Sequence, residues 1–215
     1  MNEKSPSLER SLLFKKAGMP FSTHWTPSSL AMTLLLALVG FLVLTPLVLM
    51  IFNSLQTARP GEPIVLDIGG RLGGYHSDIT RTLWVTGEDE QPPSAEFSSL
   101  YATLQRAQAA GRAAVRPGIS AEQLDGVARG VIDDAGLGEH FIHRTGHGIG
   151  LEVHEDPYIV AGNETLLEPG HAFSVEPGIY IDGRHGARIE DIVVCAADGP
   201  DELNRADRGL YVVRG

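Results

Sequence analysis

Hydrophobic residues are distributed unevenly along the chain. Residues 31–52, AMTLLLALVGFLVLTPLVLMIF, carry no charge and are apolar all round. As a helix these 22 residues would rise about 33 Å, enough for a bilayer core of about 30 Å. Gly40 and Pro46 are tolerated in membrane helices, whereas a core helix seldom lacks a polar face. The leader is too extended and the apolar run too long for a cleaved signal peptide. The pattern therefore predicts a polar segment over 1–30, one transmembrane helix over 31–52 and a linker over 53–63 ending in TARPGEP. Lys4, Arg10, Lys15 and Lys16 lie upstream and only Arg59 lies close downstream. That bias predicts a single-pass membrane protein with its N-terminus in the cytoplasm.

Beyond Pro63 the periodicity changes. IVLDIGG and YHSDITRTLWV read as two strands joined by the glycine-rich GRLGG, followed by the loop GEDEQPPS. From Phe97, apolar residues recur at Leu100, Tyr101, Leu104, Ala107 and Val115 with helical spacing, and Arg116-Pro117-Gly118 ends the run. Ser120 and Gln123 form a capping-box pattern. Leu124, Val127, Ala128, Val131 and Ile132 then predict a second amphipathic helix stopping near Gly136. From Phe141 onward the chain is strand-like and glycine-rich. Strands, two helices and strands again predict an α+β domain over residues 64–215.

Composition narrows the partners. The 215 residues carry a net charge of −10, which disfavours nucleic acid and anionic membrane surfaces because they share its sign. The single cysteine, Cys195, lies in the apolar run DIVVCAA. It forms no internal disulfide and reads as a small buried strand residue.

Candidate chemistry lies in two hairpins and one histidine-rich stretch. A turn centred between Leu72 and Gly73 sets Asp67 directly opposite Asp78, with Cβ atoms about 5 Å apart on one face. Two carboxylates so placed repel unless solvent or a shared cation separates them. Glu176 in SVEPG and Glu190 in RIEDI flank a second turn, DGRHG. Their even separation lets them share a face, opposite or on a diagonal. Between the hairpins runs HRTGHGIGLEVHEDP, with His143, His147 and His154. Its glycines disfavour a helical ligand pair and open close backbone approach to a site. HEDPY lacks the second histidine of the zincin helix, and GHGIG has neither the spacing nor the lysine of a phosphate loop. Four carboxylates and one imidazole balance two divalent cations. An oxygen-rich, thiolate-free set suits Mn²⁺, Co²⁺, Fe²⁺ or Zn²⁺. Two such ions about 3.5–4 Å apart polarise a carbonyl and activate water, which is hydrolytic chemistry.

The ordered motifs LDIGG, GYHSDITRT, HRTGHGIGLEVHEDP, SVEPGIYI and ARIEDIVV resemble those of the pita-bread metallopeptidases. That family, peptidase M24, includes methionine aminopeptidases and Xaa-Pro peptidases. The resemblance covers about residues 64–215 and implies a pita-bread catalytic fold. It implies that Asp67, Asp78, His147, Glu176 and Glu190 hold two divalent metal ions, with Mn²⁺ favoured. Asp78 and Glu190 would bridge them, Asp67 would serve one, and His147 and Glu176 the other. His154 would hydrogen-bond the substrate and stabilise the tetrahedral intermediate, His143 would line the site beyond the scissile bond, and Glu176 would take part in proton transfer. His143 and Arg188, the latter assigned to substrate binding, favour the Xaa-Pro branch. The implied activity is release of the N-terminal residue of a peptide before proline, by an aminopeptidase P- or prolidase-like enzyme for which a homodimer is compatible. Part of the family's scaffold precedes the first aspartate, so the domain reads as truncated in its N-terminal half. Three alternatives stand beside this one: an impaired homologue that binds metal or peptide without turnover, a methionine aminopeptidase-like enzyme, and a membrane-anchored fusion fragment. The last draws on residues 31–63, which weakly resemble the first membrane segment of ABC transporter permeases.

Overall fold

The computed structural model describes residues 61–88 and 91–214, together with Met32, Leu34, Leu35 and Leu38. Those four are helical and exposed; the rest of the expected span 31–52 lies outside the described residues. The chain divides into two units, Met1–Gln56 and Thr57–Gly215, and the second carries everything described below.

The second unit opens with a long hairpin, β1 (Glu62–Leu72) and β2 (Tyr75–Thr86). Gly73 and Gly74 both take positive φ, +60° and +95°. A two-residue turn with both central residues at positive φ matches the strand twist, and glycine adopts it without a steric cost. This turn lies one residue later than the spacing predicted, so the register slips by two. Asp67 pairs with Thr80, and Asp78 with Gly69. The expected direct opposition of Asp67 and Asp78 is corrected to a diagonal one. The side-chain period of two keeps both on the same face.

Helix α1 (Ala95–Ala114) starts at Ser94, whose hydroxyl accepts from Phe97 N, and ends at Val115, two residues before Pro117. Helix α2 (Ala121–Asp134) carries the complete capping box of Ser120 and Gln123. Phe97, Leu100, Tyr101, Leu104 and Ala107 of α1 join Trp84, Ile132, Phe141, Ile179, Ala187 and Ile189 in one core. Leu124 of α2 joins Ile159, Phe173, Val175, Val193 and Cys195 in another. Cys195 is buried there, as expected of a small strand residue.

The remaining strands are β3 (Gly146–Gly148), β4 (Glu155–Ile159), β5 (Ala172–Val175), β6 (Gly178–Ile181), β7 (His185–Arg188), β8 (Asp191–Ala196), β9 (Gly199–Glu202) and β10 (Tyr211–Arg214). They form a five-stranded sheet, β4-β3-β5-β8-β9, and a β6-β7 hairpin, while β10 joins the first hairpin parallel to β2. A single bridge, Thr80 to Glu190, links β2 to the chain entering β8. Alternation then sorts the side chains. Phe173, Val175, Ala187 and Ile189 face the helices, so Ser174, Glu176, Arg188 and Glu190 face the other way.

Among the described residues no helix is long and apolar enough to cross a membrane. Helix α1 has the length, with 20 residues, but it carries Glu96, Arg106 and Arg112. The described fold therefore contains no counterpart of the expected membrane span.

Candidate metal centre

All eight residues singled out from the sequence line one cavity of about 760 Å³, and Arg144, Tyr158 and Val160 complete its wall. Two strands of the first hairpin deliver Asp67 and Asp78. His147 is the middle residue of β3, Glu176 lies between β5 and β6, and Glu190 between β7 and β8. The register of the β5–β8 ladder continues unchanged through β6–β7. Extended across the gap, it sets Glu176 opposite Glu190.

The histidine stretch is fixed from behind by α2. Asp125, buried on that helix, pairs with Arg129 and accepts from both Thr145 N and Thr145 Oγ1. Arg129 also donates to the carbonyls of Phe141 and His143. Two glycines of the stretch allow close backbone approach between strands. A side chain on Gly146 would overlap the Ser174 carbonyl, and one on Gly148 would overlap the Asp156 carbonyl. They let neighbouring strands close on one another. Glu155, which is no candidate ligand, caps the following loop by accepting from Glu152 N at 3.0 Å.

Asp78, His147 and Glu190 present ligand atoms that all lie within 4.8 Å of one another. His147 Nε2 is 3.3 Å from Glu176 Oε1, 3.9 Å from Glu190 Oε1 and 4.0 Å from Asp78 Oδ2. His147 Nδ1 lies 3.0 Å from the Gly148 carbonyl. An N–H on Nδ1 satisfies that carbonyl and leaves Nε2 as a bare lone pair. Burial pushes His147 down to about 4, so the ring is neutral near pH 7. Lone pairs of an imidazole and three carboxylates thus point at a common space. Glu190 Oε1 is buried there without a hydrogen-bond partner, while Oε2 accepts from Thr80 Oγ1 at 2.6 Å. An acceptor-only set with an orphaned buried oxygen fits a divalent cation.

Asp67 lies outside the close group of ligand atoms but beside Asp78, whose pKa it raises. Its carboxylate is ion-paired to Arg188, which also reaches Tyr180 Oη at 3.4 Å and Glu176 Oε2 at 3.9 Å. His154 is exposed, and its ring lies edge-on to His147 with centroids 4.2 Å apart. His143 lies edge-on to Phe141 and has Nε2 buried without a partner; burial holds its pKa below the ordinary histidine value.

Two residues not singled out from the sequence support these groups. Thr80 holds Glu190. Ser174 accepts from His147 N and donates to Glu176 Oε1, both at 3.0 Å. Each lies two positions from a candidate ligand in a strand, so alternation alone marks them as site-facing. Arg144, 5.0 Å from the Tyr158 ring centroid, has no comparable signal, because its position in the wall depends on the loop path.

The carboxylates are pushed toward their neutral forms. Glu176 rises to about 7, chiefly through burial. Glu190 rises to about 8 through burial and then repulsion from Glu176. Asp78 is raised by burial and by Asp67. Between their ordinary value of 4.5 and these raised values, the folded state holds protons that the unfolded state has lost. Metal-free stability therefore falls as pH rises. His147 acts oppositely, but only between about 4 and 6.5. From pH 6.5 to 8 the Tm of chelator-treated protein is expected to fall by about 2–5 °C, and Mn²⁺ is expected to reverse the fall. Scanning fluorimetry across that window checks this, and a metal-free Tm that rises would contradict it.

A family model described as metallopeptidase family M24 matches residues 47–197. The probable dipeptidase PepE of Mycobacterium tuberculosis is 56% identical over 156 residues, covering 72% of this chain and 40% of the relative. The Xaa-Pro dipeptidase of Lactobacillus delbrueckii subsp. lactis is 46% identical over 160 residues, covering 74% and 42%. Among solved structures, a prolidase from Thermococcus sibiricus superposes with a TM-score of 0.70 at 44% identity, covering 74% of this chain and 42% of that one. The chain thus spans about two-fifths of the length of these relatives. The family match begins inside the apolar run 31–52, and the relatives are named for peptidase activity. This withdraws the single-pass membrane location inferred from hydropathy.

Proposed function

Because the chain belongs to metallopeptidase family M24, we propose that it is a two-metal exopeptidase cleaving the bond between an N-terminal residue and proline. The observation that carries this reading is the acceptor-only cluster around His147 Nε2, with its orphaned Glu190 oxygen. Asp67, Asp78, His147, Glu176 and Glu190 would together hold the two cations. When bound, the cations polarise the scissile carbonyl and lower the pKa of water.

The chain's own groups do the rest. His154, beside His147 and open to solvent, is placed to donate to the substrate carbonyl oxygen as charge develops on it. Glu176, with its pKa near 7 before metal binding, takes the proton of the attacking water and passes it to the departing nitrogen. His143 and Arg188 line the cavity on either side of Tyr180. They contact the proline side of the substrate and its terminal carboxylate. A cavity of about 760 Å³ lies in the range of small-ligand sites, matching a dipeptide or the end of a short peptide.

The full chain loaded with Mn²⁺ is expected to hydrolyse Xaa-Pro dipeptides at least about tenfold faster than matched dipeptides lacking proline, and chelation is expected to abolish both activities. Co²⁺, Zn²⁺ and Fe²⁺ serve as comparison metals. Metal-loaded protein that leaves every Xaa-Pro bond intact would overturn the peptidase reading and favour a homologue that binds without turnover. Equal rates on the two substrate sets would overturn the proline preference.

A further inference from the structure

Arg81 is 7% exposed and is not among the residues lining the cavity. On β2 it points away from Asp78 and Thr80, as alternation requires. All five of its N–H groups are used. Nε donates to Asp207 O, and Nη1 to Thr80 O at 2.8 Å and Glu190 O at 2.7 Å. Nη2 donates to Asp191 Oδ1 at 2.7 Å and to Ala206 O at 2.9 Å. Asp191 is fully buried, and its other oxygen receives Gln108 Nε2 and Arg208 Nε. A buried ion pair of this kind is seldom retained for stability alone, since apolar side chains fill the same volume at lower desolvation cost.

The two carbonyls held by Nη1 show what else it does. They belong to Thr80 and Glu190, the residues of the bridge that links β2 to the chain entering β8. Asp78 stands two residues before Thr80 on β2, and Glu190 is itself at the bridge. These two carboxylates repel. The Asn204 amide also ties their strands, accepting from Ile192 N and donating to Asp78 O, but Arg81 holds the two carbonyls of the bridge itself. We propose that Arg81 is a positioning residue that sets the separation of Asp78 and Glu190 for the two cations. It acts through main-chain carbonyls and touches neither metal nor substrate. The proposal rests on the two-metal reading above.

Lysine keeps the charge for Asp191 but lacks the fork that reaches both carbonyls. In the full chain, Arg81→Lys is expected to weaken Mn²⁺ binding about 10- to 100-fold by calorimetric titration. Arg208→Lys is the control, because Arg208 also pairs with Asp191 but contacts neither bridge carbonyl. It is expected to lower Tm while leaving Mn²⁺ affinity within about twofold of wild type. A purely structural role would make the two variants behave alike. Wild-type affinity in Arg81→Lys, or an equal loss in Arg208→Lys, overturns the proposal. Should Arg81→Lys fail to fold, Asp191→Asn takes its place: it keeps one oxygen for Arg81 Nη2 but removes the charge. It is expected to weaken Mn²⁺ about tenfold, and unchanged affinity there overturns the proposal. A wild-type chain that takes up no Mn²⁺ overturns both this role and the reading beneath it, whereas two ions bound equally well by wild type and variant overturn this role alone.

Discussion

Asp78→Ala is expected to lower kcat/KM for Xaa-Pro cleavage by at least about 10³-fold, roughly 4 kcal/mol of transition-state stabilisation. Asp78 sits on the shared face of the first hairpin, diagonal to Asp67, and its Oδ2 is 4.0 Å from His147 Nε2. In the proposed two-cation site, its removal would take away one of four negative charges and a ligand shared by both ions. The variant is expected to retain no more than one equivalent of Mn²⁺. Its metal-free Tm is expected to equal or exceed that of the wild type, because burial and Asp67 already raise the Asp78 pKa. Its charged form is disfavoured in the metal-free fold. Loss of activity together with a large loss of metal-free Tm would instead mark Asp78 as structural.

The second large effect falls on a residue with no side chain. Gly146→Ala is expected to cost more than about 4 kcal/mol and to leave little folded protein. A Cβ there would overlap the Ser174 carbonyl oxygen and lie 2.8 Å from the Ser174 carbonyl carbon. Both obstacles are backbone, so β3 and β5 would have to part. Ser174 would move with them, and Ser174 holds both His147 N and Glu176 Oε1. Gly126 on α2 is the matched control, since a Cβ there meets nothing within 4 Å. Gly126→Ala is expected to stabilise the protein by about 0.5–1 kcal/mol through helix propensity. Urea unfolding of the two variants separates a close-approach glycine from a merely helical one. A Gly146→Ala midpoint close to that of Gly126→Ala would contradict the packing described here.

These two residues also show what the sequence made legible. Periodicity located both helices, because their apolar positions recur every three or four residues and Ser120–Gln123 forms a cap within four residues. Parity located the faces: whichever way the first hairpin pairs, Asp67 and Asp78 fall on one side. The pairing itself was harder to read, because GRLGG allows several tight turns and only the positive φ of Gly73 and Gly74 selects one. The glycines of HRTGHGIG signal close backbone approach, but the sequence does not say what approaches: at Gly146 and Gly148 it is neighbouring strands. Their need for glycine arises from Ser174 and Asp156, which are distant in sequence or across a turn. Arg81 was invisible for a related reason. A charged residue in a strand usually marks a solvated face, and its partner Asp191 lies 110 positions away. The membrane expectation came from hydropathy alone, which reports the character of a segment without its context.

Four carboxylates and one neutral imidazole are expected to hold two divalent ions. Equilibrium dialysis of the full chain against micromolar Mn²⁺ at pH 8, with metal counted by mass spectrometry, tests it most directly. Two equivalents per chain in the wild type and no more than one in Asp78→Ala are the expected result. A folded wild-type chain that retains no Mn²⁺, Co²⁺, Zn²⁺ or Fe²⁺, or an Asp78→Ala variant that retains two, would contradict it.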